Sequence, residues 1–230
     1  MEKHIPNVLT LGNLYCGFLS INYIFSVDVK NATVCIFIAL ILDALDGRVA
    51  RILGLTNGIG KELDSLADIV SFGVAPALLS AYTYFADLQM IGIIMSGLFP
   101  VFGAYRLARF NLTPQEESLK YFKGIPITIA GAIITFLVLY VKIIPLWIFS
   151  ILFFGLSILM ISTIKIPSLK KMNLPKNSMI IALFFFYLFY LVVMTTFEYI
   201  PVFFYIAMAT YLLFMVNRQI KRKEPHLRRK

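Results

Sequence analysis

Apolar runs of about 17–25 residues follow one another along almost the whole chain, each long enough to cross a hydrocarbon core about 30 Å thick. In lipid, every backbone N–H and C=O must be satisfied inside the protein, so such runs fold as helices packed on helices. Eight spans are expected, at 8–27, 31–52, 60–86, 89–110, 125–142, 144–163, 177–196 and 199–216. The fold class is therefore all-α, a polytopic membrane helix bundle forming a single membrane-embedded domain over residues 1–230. With 60% apolar and 14% charged side chains, little sequence is left over for a soluble domain. The opening MEKHIPN has neither a basic segment nor a small-residue cleavage site, which argues against a cleaved leader.

Charge sets the orientation. When the connections are assigned alternately to the two sides, 19 of the 21 Lys and Arg fall on the side that holds both termini, and only Lys30 and Lys142 fall opposite. By the positive-inside rule that side is cytoplasmic, so both termini face the cytosol across the cell membrane. The tail RQIKRKEPHLRRK reads as an anchor against anionic membrane lipid. No aromatic or groove-forming pattern accompanies it, so a nucleic-acid partner is not expected. Cys16 and Cys35 sit in separate apolar runs as free thiols, and His4 and His226 lie near opposite ends, which excludes the usual His/Cys zinc site.

Against this background, LDALDGRVARILGLTNGIGKELDSLAD stands out, because it puts Asp43, Asp46, Asp64 and Asp68 into two spans. Asp43 and Asp46 share one face of span 2, and Asp64 and Asp68 share one face of span 3. The Gly and Asn of GLTNG suit a tight turn, which predicts antiparallel neighbours whose acids converge just inside the cytoplasmic boundary. Four uncompensated aspartates inside a membrane approach ~10–14 kcal/mol on the insertion scale, as much as a domain's whole stability. A divalent cation removes that cost. A site of oxygen donors alone favours Mg²⁺ or Mn²⁺ and also admits Ca²⁺. Gly47 and Ala50 leave a notch beside the acids, Arg51 offers a bidentate donor for phosphate oxygens, and Gly60 keeps the face before Asp64 low. Together these describe a site for a metal-bound diphosphate.

The pattern D-x-x-D-G-x-x-A-R, eight residues, then G-x-x-x-D-x-x-x-D, here Asp43, Asp46, Gly47, Ala50, Arg51, Gly60, Asp64 and Asp68, resembles the signature of the CDP-alcohol phosphotransferase family. DSLADIVSFGVAP, RLARFN, FKGIPITIAG and the N-terminal PNVLTLGNLYCGF resemble its phosphatidylserine synthase branch over roughly residues 5–132, with Thr128 where that branch usually has a second Pro. The resemblance implies metal-dependent transfer of a phosphatidyl group from CDP-diacylglycerol to L-serine, with CMP as the other product. It also implies that Asp43, Asp46, Asp64 and Asp68 hold one or, more in keeping with a diphosphate, two metals, that Asp68 is the base, and that the enzyme is a homodimer. By family position Asn57, Asn7 and Thr10 join Gly47, Ala50, Arg51 and Gly60 around the nucleotide, although a turn or cap role suits those three equally. The serine carboxylate needs a cation, for which Arg106 and Arg109 are candidates, with Asn111 and Ser71 as polar neighbours. The lipid's acyl chains require a lateral opening near the cytoplasmic surface, lined by spans 2, 5 and 6.

Two other readings compete. A related synthase would take glycerol 3-phosphate or inositol phosphate, and its acceptor phosphate would want several converging basic residues. An ion-coupled transporter also buries acids, but near the midplane and commonly in a repeated half; these acids lie at one face, and spans 5 to 8 carry no second cluster.

Overall fold

The computed structural model describes residues 5–54, 58–112 and 121–167. Backbone contacts divide the chain into Met1–Asn173 and Leu174–Lys230, and all described residues belong to the first unit. Spans 7 and 8 and the basic tail lie outside the described residues.

Helix α1 (Ile5–Phe25) runs into α2 (Val29–Ile52) through a short turn. Asp28 caps α2 there, its carboxylate accepting from the Asn31 N–H at 3.0 Å and satisfying one of the helix's orphan donors. Next come α3 (Gly58–Asp68), a π-helical turn (Ile69–Val74) and α4 (Ala75–Tyr82), which together form one rod. The π turn has a local cause. Pro76 has no N–H to give the Phe72 carbonyl, and its ring would crowd that oxygen in a regular helix. The wider winding, in which the Ala75 N–H reaches the Val70 carbonyl, accommodates it.

A 3₁₀ turn (Ala86–Leu88) leads into α5 (Gln89–Leu112). The strand β1 (Tyr121–Lys123), α6 (Ile127–Val138), α7 (Leu146–Ile161) and β2 (Lys165–Pro167) follow. The two strands pair antiparallel with Phe122 opposite Ile166, so a three-residue ribbon interrupts an otherwise helical structure. Helices α6 and α7 are shorter than the runs that predicted them. Residues after Val138 wind as tight turns, such as the Tyr140 N–H on the Leu137 carbonyl at 3.0 Å. Pro145 then keeps the preceding residue out of the α region and starts α7.

Three stretches, Ile5–Phe25, Gly58–Tyr82 and Ala86–Leu112, are long and apolar enough to cross a membrane. Helix α2 is long enough as well, at 24 residues, but carries Asp43, Asp46, Arg48 and Arg51 in its second half. Small residues bring the backbones together, as expected where lipid removes the hydrophobic drive between helices. Gly131 of α6 lies against the Phe72 carbonyl, and Gly17 of α1 against Ser71. Farther along the bundle an aromatic cluster joins the turn after α4 to α5 and α7. Tyr84 stacks on Phe149 with centroids 3.7 Å apart, and Phe85 meets Phe153 edge-on at 5.4 Å.

Helix α1 takes a larger part in the frame than the motif predicts. Few residues of α2 and α3 approach each other directly; α1 instead packs along α2 and against α3, bridging the two halves of the aspartate motif. A tight turn brings helix ends together, but the packing partner is chosen by small residues, and those lie on α1.

Candidate active site

Three of the four aspartates converge. Asp43 of α2 and Asp64 and Asp68 of α3 each offer a carboxylate oxygen, and these oxygens lie within 4.8 Å of one another. Asp68 is buried, while Asp43 and Asp64 are half-buried. At that separation each pair of ionised carboxylates repels by ~3.5 kcal/mol at an effective dielectric of about 20. The three pairs together rival a domain's net stability of about 5–15 kcal/mol. The cluster is built to hold positive charge.

Its donor chemistry fits a hard divalent cation. The ligands are all oxygens, and Oδ1 of Asp64 and Oδ1 of Asp68 are buried with no hydrogen-bond partner. Buried polar atoms are rarely left so, because each costs about 1–3 kcal/mol.

Asp46 stands one helical turn along from Asp43 and has a contact of its own. It is buried, and its Oδ2 lies 2.7 Å from Thr10 Oγ1, which is also 3.0 Å from the Pro6 carbonyl. Asp46 thus fastens α2 to α1 while its charge still acts on Asp43, Asp64 and Asp68. Asn7, one turn before Thr10, places its carboxamide 3.3 Å from where a Cβ on Gly60 would stand. Helix α1 thus brings Thr10 to Asp46 and Asn7 to Gly60 of α3.

The notch is open. A Cβ added at Gly47 would meet nothing within 4 Å. Ala50 is half-buried and Arg51 is exposed in the last turn of α2. Asn57 lies outside the described residues.

The candidate acceptor residues separate into two kinds. Arg106 of α5 is buried, its charge acts on Asp68, its guanidinium lies 5.5 Å from the Phe110 ring centroid, and its Nε has no hydrogen-bond partner. The other three are engaged in holding helices. Arg109 donates to the carbonyls of Ile161 at 2.9 Å, Ser162 at 3.0 Å and Met160 at 3.4 Å, satisfying the C-terminal end of α7 where cations are favoured. Asn111 donates to Ser65 Oγ at 3.0 Å and Glu62 Oε2 at 3.3 Å, and its carbonyl accepts from Lys61 Nζ at 3.0 Å, so it latches α5 to α3. Ser71 is buried in the π turn and donates to the Asn13 carbonyl at 3.0 Å. Arg106 and Arg109, three residues apart, thus reach different helices.

One residue near the cluster escaped sequence reasoning. Asn13 is wholly buried on α1, one turn beyond Thr10, with neither side-chain atom hydrogen-bonded. Its signal was present as a carboxamide in the apolar run after Thr10.

The family model for CDP-alcohol phosphatidyltransferase matches residues 3–163, a stretch that contains α1 to α7 and every member of the cluster. The chain belongs to that family. It is 37% identical over 186 residues to a CDP-diacylglycerol–serine O-phosphatidyltransferase of Helicobacter pylori, covering 78% of each chain. It is 38% identical to the enzyme of the same name from Bacillus subtilis, covering 74% of this chain and 93% of that one. An archaetidylserine synthase of Methanothermobacter thermautotrophicus is 34% identical, over 74% of this chain and 72% of that one. Family membership and the apolar helices together make this chain a membrane-integral transferase of phospholipid biosynthesis.

Proposed function

We propose that this protein transfers a phosphatidyl group from CDP-diacylglycerol to L-serine, forming phosphatidylserine and CMP at the cytoplasmic side of the cell membrane. The observation that carries the reading is the trio Asp43, Asp64 and Asp68, with two buried oxygens left without partners, inside the family's own matched region. Serine as acceptor is supported by the relatives, whose names differ in the lipid they imply but share serine.

In this reading the trio holds Mg²⁺ or Mn²⁺, and Asp46 adds charge from α1's side. The bound cation supplies positive charge to the diphosphate as negative charge moves onto CMP. The residues of the chain do the rest. The open face at Gly47 lets the diphosphate reach the helix surface, and the Arg51 guanidinium, exposed at the same end of α2, pairs with its oxygens. Asn7 and Thr10 border the nucleotide from α1. Arg106 receives the serine carboxylate: it is a buried cation with a spare donor, next to the base. Asp68 takes the proton from the serine hydroxyl, whose oxygen forms the new bond to the lipid-side phosphorus as the bond to the CMP oxygen breaks. A carboxylate has two oxygens, so Asp68 can take that proton on one while the other serves the cation.

The test is CMP release from CDP-diacylglycerol by purified protein, with and without L-serine, Mn²⁺ and chelator. Release that needs both serine and the metal is the expected result. Equal or faster release with glycerol 3-phosphate, or release indifferent to chelator, defeats the assignment.

A further inference from the structure

Helix α1 runs parallel to α3 and antiparallel to α2, and four contacts fix its register. Asn7 lies against Gly60 and Gly17 against Ser71 on one side, while Thr10 pairs with Asp46 and Gly12 lies level with Leu42 on the other. Carrying that register along α1 puts Asn13 level with residues 41–43 of α2, within a turn of Asp43, and between Asp64 and Asp68 of α3. Asn13 belongs to the buried stripe Thr10, Asn13, Gly17, and the Ser71 hydroxyl, one turn beyond Asp68, holds its carbonyl. Its carboxamide has no solvent exposure, and neither Nδ2 nor Oδ1 has a partner.

We propose that Asn13 is a positioning residue for the cation site. With the ion bound, its amide N–H groups would donate to the carboxylates of Asp43 and Asp68 through buried water, on the side away from the ion. A carboxamide has two donors, so one side chain on α1 can orient acids on two helices that scarcely touch each other. Ligating carboxylates are typically held by such outer hydrogen bonds, and losing one typically weakens metal binding 10–100-fold. The inference rests on the trio being a cation site, as proposed above.

The experiment measures Mn²⁺ binding by the detergent-solubilised full chain, reading free Mn²⁺ by electron paramagnetic resonance, with folding checked by thermal melting. Asn13→Ala and the near-isosteric Asn13→Leu, which both remove the donors without adding charge, are expected to bind Mn²⁺ about 10–100-fold more weakly than the unaltered chain. Ser71→Ala, which loses the hydroxyl on the same carbonyl but no donor to the acids, is expected to melt earlier with unchanged Mn²⁺ affinity. Folded Asn13→Ala or Asn13→Leu with unaltered affinity overturns the proposal. If one of the two does not fold, the other decides. Absence of Mn²⁺ binding in the unaltered chain, or its survival in Asp64→Asn, removes the cation site itself and is distinguishable from failure of the Asn13 role.

Discussion

Two glycines offer opposite perturbations from the same small substitution. Gly47 lies inside α2, where glycine costs about 0.8–1.0 kcal/mol relative to alanine because it gives up more backbone freedom. A methyl group there meets nothing within 4 Å. On folding grounds alone Gly47→Ala stabilises the chain, by roughly 2–4 °C in melting midpoint for a protein of this size. If the open face receives the diphosphate, however, the methyl group stands in the substrate's way, and a displacement of about 1 Å at the reacting centre costs on the order of 10²-fold. Gly17→Ala inverts the pattern. Its new Cβ falls 2.9 Å from Ser71 Cα and 3.1 Å from Ser71 Cβ, so the clash is with backbone that cannot rotate away. Overpacking of this kind costs about 1–3 kcal/mol. The assay pairs thermal melting in detergent with kcat/KM for CDP-diacylglycerol in mixed micelles, measured well below both transitions. Gly47→Ala should melt higher and turn over far more slowly; Gly17→Ala should melt lower and keep much more of its activity per folded molecule. A Gly47→Ala protein that is more stable and fully active would refute the claim that this notch admits substrate.

Asp68→Asn removes the proton acceptor with little change in shape, so turnover should vanish while CDP-diacylglycerol binding stays detectable by equilibrium dialysis; near-normal turnover eliminates Asp68 as the base. Arg106→Met should raise the KM for L-serine, whereas Arg109→Met should leave it near its original value. The second substitution should instead lower stability by at least the ~1.5–3 kcal/mol of one charge-assisted hydrogen bond, since it strips donors from the end of α7. The reverse pattern in serine kinetics and melting would exchange their roles. Thr10→Val leaves the buried Asp46 carboxylate without its 2.7 Å partner and should cost about 1–3 kcal/mol on denaturation; an unchanged midpoint means that this hydrogen bond does not secure α1 to α2.

The cluster was legible because helical periodicity converts spacing into facing: acids three and four apart on a helix must share a side. That logic reaches Asp64 with Asp68 without coordinates, but it cannot assign partners between helices. Asp43 joins the trio while Asp46, on the same face, turns to Thr10, and no one-dimensional spacing distinguishes them. The same limit applies to Arg109, Asn111 and Ser71. Each is a polar side chain at a helix end or interior, where a ligand and a backbone carbonyl are equally good reasons for its presence; only the position of α7's last turn, α3's first turns or the Asn13 carbonyl separates the two. The π turn had a clue in Pro76, yet a proline inside a membrane helix can equally well produce a kink.

The central place of α1 follows from this. The motif lies on α2 and α3, whose acids meet although their backbones make few direct contacts. A third helix packed along one and against the other can hold that arrangement, provided it supplies small residues for close approach and polar groups for the acids. Helix α1 does both along one stripe: Gly17 admits Ser71, Thr10 meets Asp46, Asn7 borders Gly60, and Asn13 is buried between them. The two helices that carry the acidic trio are therefore held in register by a helix that contributes no acid to it. A substitution on α1 that shifts its register by a single turn should scatter the carboxylates more effectively than any one substitution in the motif's own turn.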